Sequence, residues 1–84
     1  MSMPNAPVTL SVEQITDLHR HLSTMRHDIN HALSLGVAAA ELVRYKPETA
    51  DRMIGTLGQQ PTKISEAVTR FSAVFDRTLG ITRP

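Results

Sequence analysis

The sequence predicts an all-α fold: an antiparallel helical hairpin of two long helices, closing into a four-helix bundle as a homodimer. Three observations carry this. Apolar residues alternate at spacings of four and three along the first half of the chain. A proline-containing stop, "RYKPE", sits near the middle and is followed by a second apolar-periodic stretch. Strand signal is nearly absent, with one tyrosine, two phenylalanines and no sustained alternation.

The first ten residues, "MSMPNAPVTL", read as a flexible arm (1–10): two prolines, small residues, and neither the charged nor the apolar region of a signal peptide. The hairpin then occupies 11–80, with a short tail at 81–84. Helix 1 starts at Ser11, which with Gln14 three residues later forms a capping box. Its seam is Ile15, Leu18, Leu22, Met25, Ile29, Ala32, Gly36, Ala39 and Val43. Leu33, Ala40 and Leu42 widen the stripe as a bundle helix requires. At 1.5 Å per residue such a helix is roughly 50 Å long, so it needs an equally long partner.

Pro47 cannot continue helix 1 but suits the first turn of helix 2. Glu48 and Asp51 then lie near an N-terminus, where negative charge is favoured. Helix 2 is expected from about Pro47 to Leu79. Its apolar positions are Met53, Ile54, Leu57, Ile64, Ala67, Val68, Phe71, Val74, Phe75 and Leu79, and Gly80 can cap it. Within it, "GTLGQQPTK" carries two glycines and Pro61. That stretch predicts a kinked continuous helix, with a break into two helices as the alternative. Two helices alone leave too much apolar stripe uncovered, and a symmetric dimer is the simplest closure.

Composition narrows the function. Eighty-four residues hold one domain at most. A net charge of +1 without a basic block does not suggest nucleic acid. The absence of cysteine excludes disulfides, thiolate catalysis and Cys-type zinc sites, and fits a cytoplasmic setting. No apolar run is long enough for a membrane span.

The chemistry-bearing residues cluster in "MRHDINHALSL". With Leu22 at heptad position a, His27 falls at f, opposite the seam, Asp28 at g, Asn30 at b and His31 at c. The polar cluster is therefore an outward patch about halfway along helix 1. Four readings fit it. A solvated helix face is the plainest. Metal binding by His27 and His31, spaced i, i+4, lacks an obvious third ligand. Acid/base catalysis by His27 with Asp28 lacks a cleft and a nucleophile, and neighbours on a helix diverge by about 100°. Phosphoryl acceptance by His27 needs little pocket, because an exposed neutral imidazole is a competent nucleophile and a partner brings the rest.

The stretch "HDINHALSLGVAAAEL" resembles the H-box of sensor histidine kinases, through His27, Asp28, Asn30, Leu33, Ala40, Glu41 and Leu42. "VTRFSAVF" is similar to the end of the second helix in that family's dimerisation and histidine-phosphotransfer (HisKA-like) domain, and the resemblance spans roughly 12–80. It implies a homodimeric four-helix bundle in two-component signalling. His27 would take a phosphoryl group originating from ATP and pass it to an aspartate of a response-regulator receiver domain. Asp28 would orient the imidazole or take its proton, and Asn30 would be a polar helper. A receiver would dock on the turn-proximal half, where Ala38, Glu41, Thr49, Arg52 and Thr56 are expected to face outward. The fourth position after the histidine, often Asn or Thr in the family, is His31 here, which puts phosphatase activity in doubt. These residues hold no Gly-rich nucleotide loop, so no cofactor is expected on this chain. ATP and Mg²⁺ would act through a kinase domain supplied in trans or in a longer parent chain. The competing expectation is a non-catalytic dimerisation or adaptor module with a vestigial H-box. No nucleic-acid or membrane partner is expected.

A hairpin turning near Lys46 would set His27 level with Ser65. A kink at Pro61 would then let helix 2 flex beside His27. The simpler expectation is that the glycines there allow close helix packing.

Overall fold

The structure, a computed structural model, describes residues 1–83. Helix α1 runs Val12–Tyr45, a single 3₁₀ turn covers Pro47–Thr49, and helix α2 runs Ala50–Leu79. The two helices pack antiparallel along nearly their whole length in a rod of 58 × 28 × 12 Å. No strand forms among the described residues; Ser2 and Thr82 make an isolated antiparallel bridge. No helix among the described residues is long and apolar enough to cross a membrane.

The ends of each helix follow from local chemistry. Ser11 Oγ accepts from the Gln14 N–H at 3.1 Å, and Gln14 Oε1 accepts from the Ser11 N–H at 2.8 Å. This reciprocal box satisfies two donors that a helix start leaves orphaned. α1 ends at Tyr45 because Pro47 disfavours helical geometry at Lys46, which sits at φ −135°, ψ 78°. α2 ends at Gly80, which adopts φ +71°, a conformation costly for any residue with a Cβ.

α2 is one continuous helix through Pro61. Proline lacks an N–H, so the Leu57 carbonyl loses its usual intrahelical donor there. Next to it, Gln60 is buried at 5% exposure. Its Nε2 donates to the Thr56 carbonyl at 2.6 Å, while its Oε1 has no partner among the described residues. The glycines do not serve close packing within the chain. A Cβ at Gly55 or Gly58 would meet nothing within 4 Å, and one at Gly36 would touch only Leu57 Cδ2 at 3.8 Å. The expectation of close approach at the α2 glycines is thus corrected: both lie on the outward face.

The core of a single hairpin is thin. Ala32, Ala39 and Ala67 are its buried apolar residues, and no large side chain is fully buried. The predicted apolar positions divide between two faces. Leu18, Leu22, Met25, Ile29, Val43, Met53, Phe71 and Val74 are half-buried between the helices. Ile15, Leu33, Ile54, Val68 and Phe75 are exposed, as is Val37, which the predicted stripe did not include. Leu33, Gly36, Val37 and Ala40 of α1 line an apolar groove of about 420 Å³ with Leu57, Pro61 and Ile64 of α2. Along α2 the sequence Ile54, Leu57, Pro61, Ile64, Val68, Phe71, Phe75 alternates spacings of three and four, a continuous stripe whose Leu57, Ile64 and Phe71 are half-buried and whose Ile54, Pro61, Val68 and Phe75 are exposed.

The terminal segments lie against each other. Ser2 N–H donates to the Thr82 carbonyl at 2.6 Å, and Thr82 N–H to the Ser2 carbonyl at 2.9 Å. Arg83 forks onto the nearly buried Asp76 carboxylate, with Nη2 to Oδ1 at 3.2 Å and Nε on Oδ2. That hydrogen bond, and then the charge of Asp76, raises the Arg83 guanidinium above its ordinary pKa. Of the expected tail, Pro84 lies outside the described residues.

Candidate functional site

Residues 27–31 occupy the middle of α1, where both helix ends are several turns away and the backbone is fully hydrogen-bonded. The site is consequently rigid, and the helical period decides where each side chain goes. His27 and His31 are exposed, Asn30 is exposed, and Asp28 is half-buried toward α2. These placements match heptad positions f, c, b and g.

His27 and His31 stand one turn apart with ring centroids 6.4 Å from each other and planes inclined by 14°. Neither imidazole has a hydrogen-bond or ion-pair partner among the described residues. His21 differs: its Nδ1 lies 2.9 Å from the Asp17 carbonyl and 3.5 Å from the Asp17 carboxylate.

Asp28 reaches toward α2. Its Oδ2 accepts from Arg70 Nη2 at 3.3 Å, a contact between α1 and α2. Asp28, His31 and Ala32 face Lys63, Glu66 and Arg70 across a shallow cleft of about 210 Å³. A smaller cleft beside it, about 140 Å³, is lined by His21, Thr24, Met25 and Asp28 with Ala67, Arg70 and Phe71. Two cations and two carboxylates therefore balance next to the exposed histidines.

The level of this site on α2 differs from the expected one. With α1 ending at Tyr45 and α2 beginning at Ala50, His27 is level with the Ala67–Val68 region rather than with Ser65, within reach of the long Arg70 side chain that pairs with Asp28. The 3₁₀ turn at Pro47–Thr49 accounts for the difference. The chain spends extra residues in the connection, and α2 proper begins at Ala50. Pro61 consequently packs near Gly36 and Leu33, well toward the turn from His27. Flexing at Pro61 would not act beside the histidine.

Three of the five expected docking residues are outward. Ala38 and Glu41 share a shallow concavity with Leu33, Ser34 and Val37 on α1. Arg52 is exposed, but Thr49 and Thr56 are half-buried rather than outward. Their hydroxyls donate to their own helix, Thr49 Oγ1 to the Lys46 carbonyl at 2.7 Å and Thr56 Oγ1 to the Arg52 carbonyl at 3.4 Å.

Sequence reasoning missed Lys63, Glu66 and above all Arg70. Arg70 lies within the family-like "VTRFSAVF", but nothing local marks it as the partner of a residue 42 positions away. Only the register of the hairpin pairs them. The chain matches no family model, no curated protein and no solved structure.

Proposed function

We propose that the chain is a histidine phosphotransfer and dimerisation domain of two-component signalling, with His27 as phosphoryl acceptor. One observation carries the reading: in the H-box-like stretch, His27 is solvent-exposed, with no partner among the described residues, and the adjacent carboxylate is held by the second helix. The imidazole nitrogen of His27 attacks the γ-phosphorus of ATP presented by a separate kinase domain. The P–O bond to ADP breaks, ADP departs, and the imidazole gives up its N–H proton. In the second step a receiver aspartate attacks the same phosphorus, and the P–N bond breaks. An exposed position suits both steps, because each partner must reach the ring in line.

Asp28 is 3.3 Å from Arg70 in the resting hairpin. Release of that pair would free the carboxylate to accept the imidazole proton. Asn30, exposed on the same outward surface, is the polar helper of this scheme. Ala38, Glu41 and Arg52 remain the exposed candidates for receiver contact. Mg²⁺ would enter with the nucleotide and need no ligand from this chain. The setting consistent with this reading is the cytoplasm.

The dimer is the other half of the proposal. The hairpin exposes 6384 Å². A compact monomer of its 9.3 kDa would expose about 5,000 Å². The excess, roughly 1,400 Å², exceeds the ~800 Å² that each partner buries in a standard interface. A second copy laid on Leu33, Val37, Ile54, Val68 and Phe75 would close a four-helix bundle and leave His27 outside. The same apolar surface also suits a dimerisation or adaptor module that never carries phosphate.

Phosphorylation separates the two. The chain is incubated with phosphoramidate, and in parallel with ATP and a histidine kinase catalytic domain supplied in trans; intact mass is read at neutral pH. One acid-labile phosphoryl group in the wild type, lost in His27→Ala, is the expected result. No adduct from either donor on a folded dimer would establish the adaptor reading instead.

A further inference from the structure

The pair His27–His31 has a second chemistry, independent of phosphate. Of the four histidines, at 19, 21, 27 and 31, only these two are spaced i, i+4. That spacing puts both on one side of the helix. Both rings are exposed, nearly parallel, 6.4 Å apart between centroids, and free of hydrogen-bond or ion-pair partners among the described residues. Asp28 and Glu66 lie around the adjoining cleft and offset the charge of Lys63 and Arg70.

We infer that His27 and His31 form a two-point chelate for a divalent transition-metal ion, with Cu²⁺ held most tightly. Two imidazole nitrogens, each about 2.0–2.1 Å from a metal, stand roughly 3 Å apart when they occupy adjacent coordination positions. Rotation about the side-chain torsions of two exposed histidines closes the present gap. No third His, Cys, Asp or Glu completes a cage among the described residues. The remaining positions belong to water, which favours an ion content with two nitrogens and aqueous oxygens. Tetragonal Cu²⁺ is such an ion, and it also heads the affinity order for nitrogen ligands; Ni²⁺ and Zn²⁺ follow, and Mg²⁺, which wants oxygen, stays out.

The consequence rests on the phosphotransfer reading above. A metal bound through the lone pair of His27 occupies the electrons that would attack phosphorus. Bound metal therefore slows attack by His27 on phosphorus, and the pair is an inhibitory metal site as well as an acceptor.

The test titrates the full chain with CuCl₂ at neutral pH by calorimetry and electron paramagnetic resonance. One ion per chain with nitrogen hyperfine structure is expected. His27→Ala and His31→Ala should each lower the affinity by about tenfold or more, since each deletes one of two ligands. The double variant His19→Ala/His21→Ala should bind as the wild type does. Equal affinity in all variants, or loss confined to the His19/His21 variant, overturns the site. A second arm follows phosphoramidate phosphorylation with and without one equivalent of Cu²⁺. Slowing reversed by a chelator supports the inhibitory role, and an unchanged rate overturns it. Binding is read without phosphate, so failure of the phosphotransfer reading leaves the metal result standing.

Discussion

Asp28 follows the exposed His27 directly, and its carboxylate is held by α2. Its carboxylate is 3.3 Å from the Arg70 guanidinium, with side-chain exposures of 38% and 65%. A pair this open to water gains little, because the Coulomb term is screened and two side chains must be ordered. It ties the middle of α1 to α2. Arg70→Ala should therefore cost no more than about 1 kcal/mol of stability, measured by urea unfolding. A double-mutant cycle with Asp28→Ala should return a coupling of similarly small size. If the pair restrains Asp28, Arg70→Ala also changes the rate of His27 phosphorylation while leaving the dimer intact. The identity of His27, Asp28 and His31 as an outward cluster was legible from heptad position alone. The Asp28–Arg70 contact was not, since 42 residues separate the partners and a shift of one turn would pair Asp28 with a different side chain.

Along α2, the helix tolerates a stretch that local propensity opposes. Pro61 removes one backbone donor, Gly55 and Gly58 add chain entropy, and Gln60 buries an oxygen with no partner among the described residues. The helix nonetheless runs unbroken, because its apolar positions on both sides of the stretch pack on α1 and hold it in register. Gly58 is outward, and a Cβ there meets nothing within 4 Å. Gly58→Ala should stabilise the chain by about 0.5–1 kcal/mol, read as a shift in the denaturant midpoint at constant slope. Pro61→Ala restores the donor for the Leu57 carbonyl and should add about 1–3 kcal/mol by the same measurement. Its phosphorylation rate should match the wild type, because Pro61 is remote from His27; a changed rate would show that the two are coupled. The capping box and the Gly80 stop were readable because each is settled within one turn of chain. The glycines make no close approach within the hairpin; spacing does not tell which face of α2 turns toward α1.

As a whole, the molecule is a rod with its large apolar side chains only half covered. Every fully buried apolar residue is alanine, while Val37 is 60% exposed and Ile54 61%. That imbalance is what a single hairpin cannot correct, since two helices offer each other one face apiece. If a second copy covers the seam, the melting temperature rises with protein concentration. Leu33→Glu with Val68→Glu places charge on that seam without disturbing the interior of the hairpin. It should convert the dimer to monomer in sedimentation velocity and abolish the concentration dependence. A wild-type chain that sediments as a monomer with a cooperative melt would sink the bundle.

Local rules, which read a few residues at a time, determined the helical class, the start at Ser11, the stops at Tyr45 and Gly80, and the outward aim of His27. These follow from the helical period and from capping chemistry, both set within a turn or two. The tertiary structure decided the rest. The 3₁₀ turn at Pro47–Thr49 set the register between the helices, and the register chose Arg70 as the partner of Asp28. It also placed Pro61 near Gly36 rather than near His27, and sorted the apolar residues into an inner and an outer seam. Contacts between helices depend on the length of the connection summed along the whole hairpin, and a short motif carries no record of that sum.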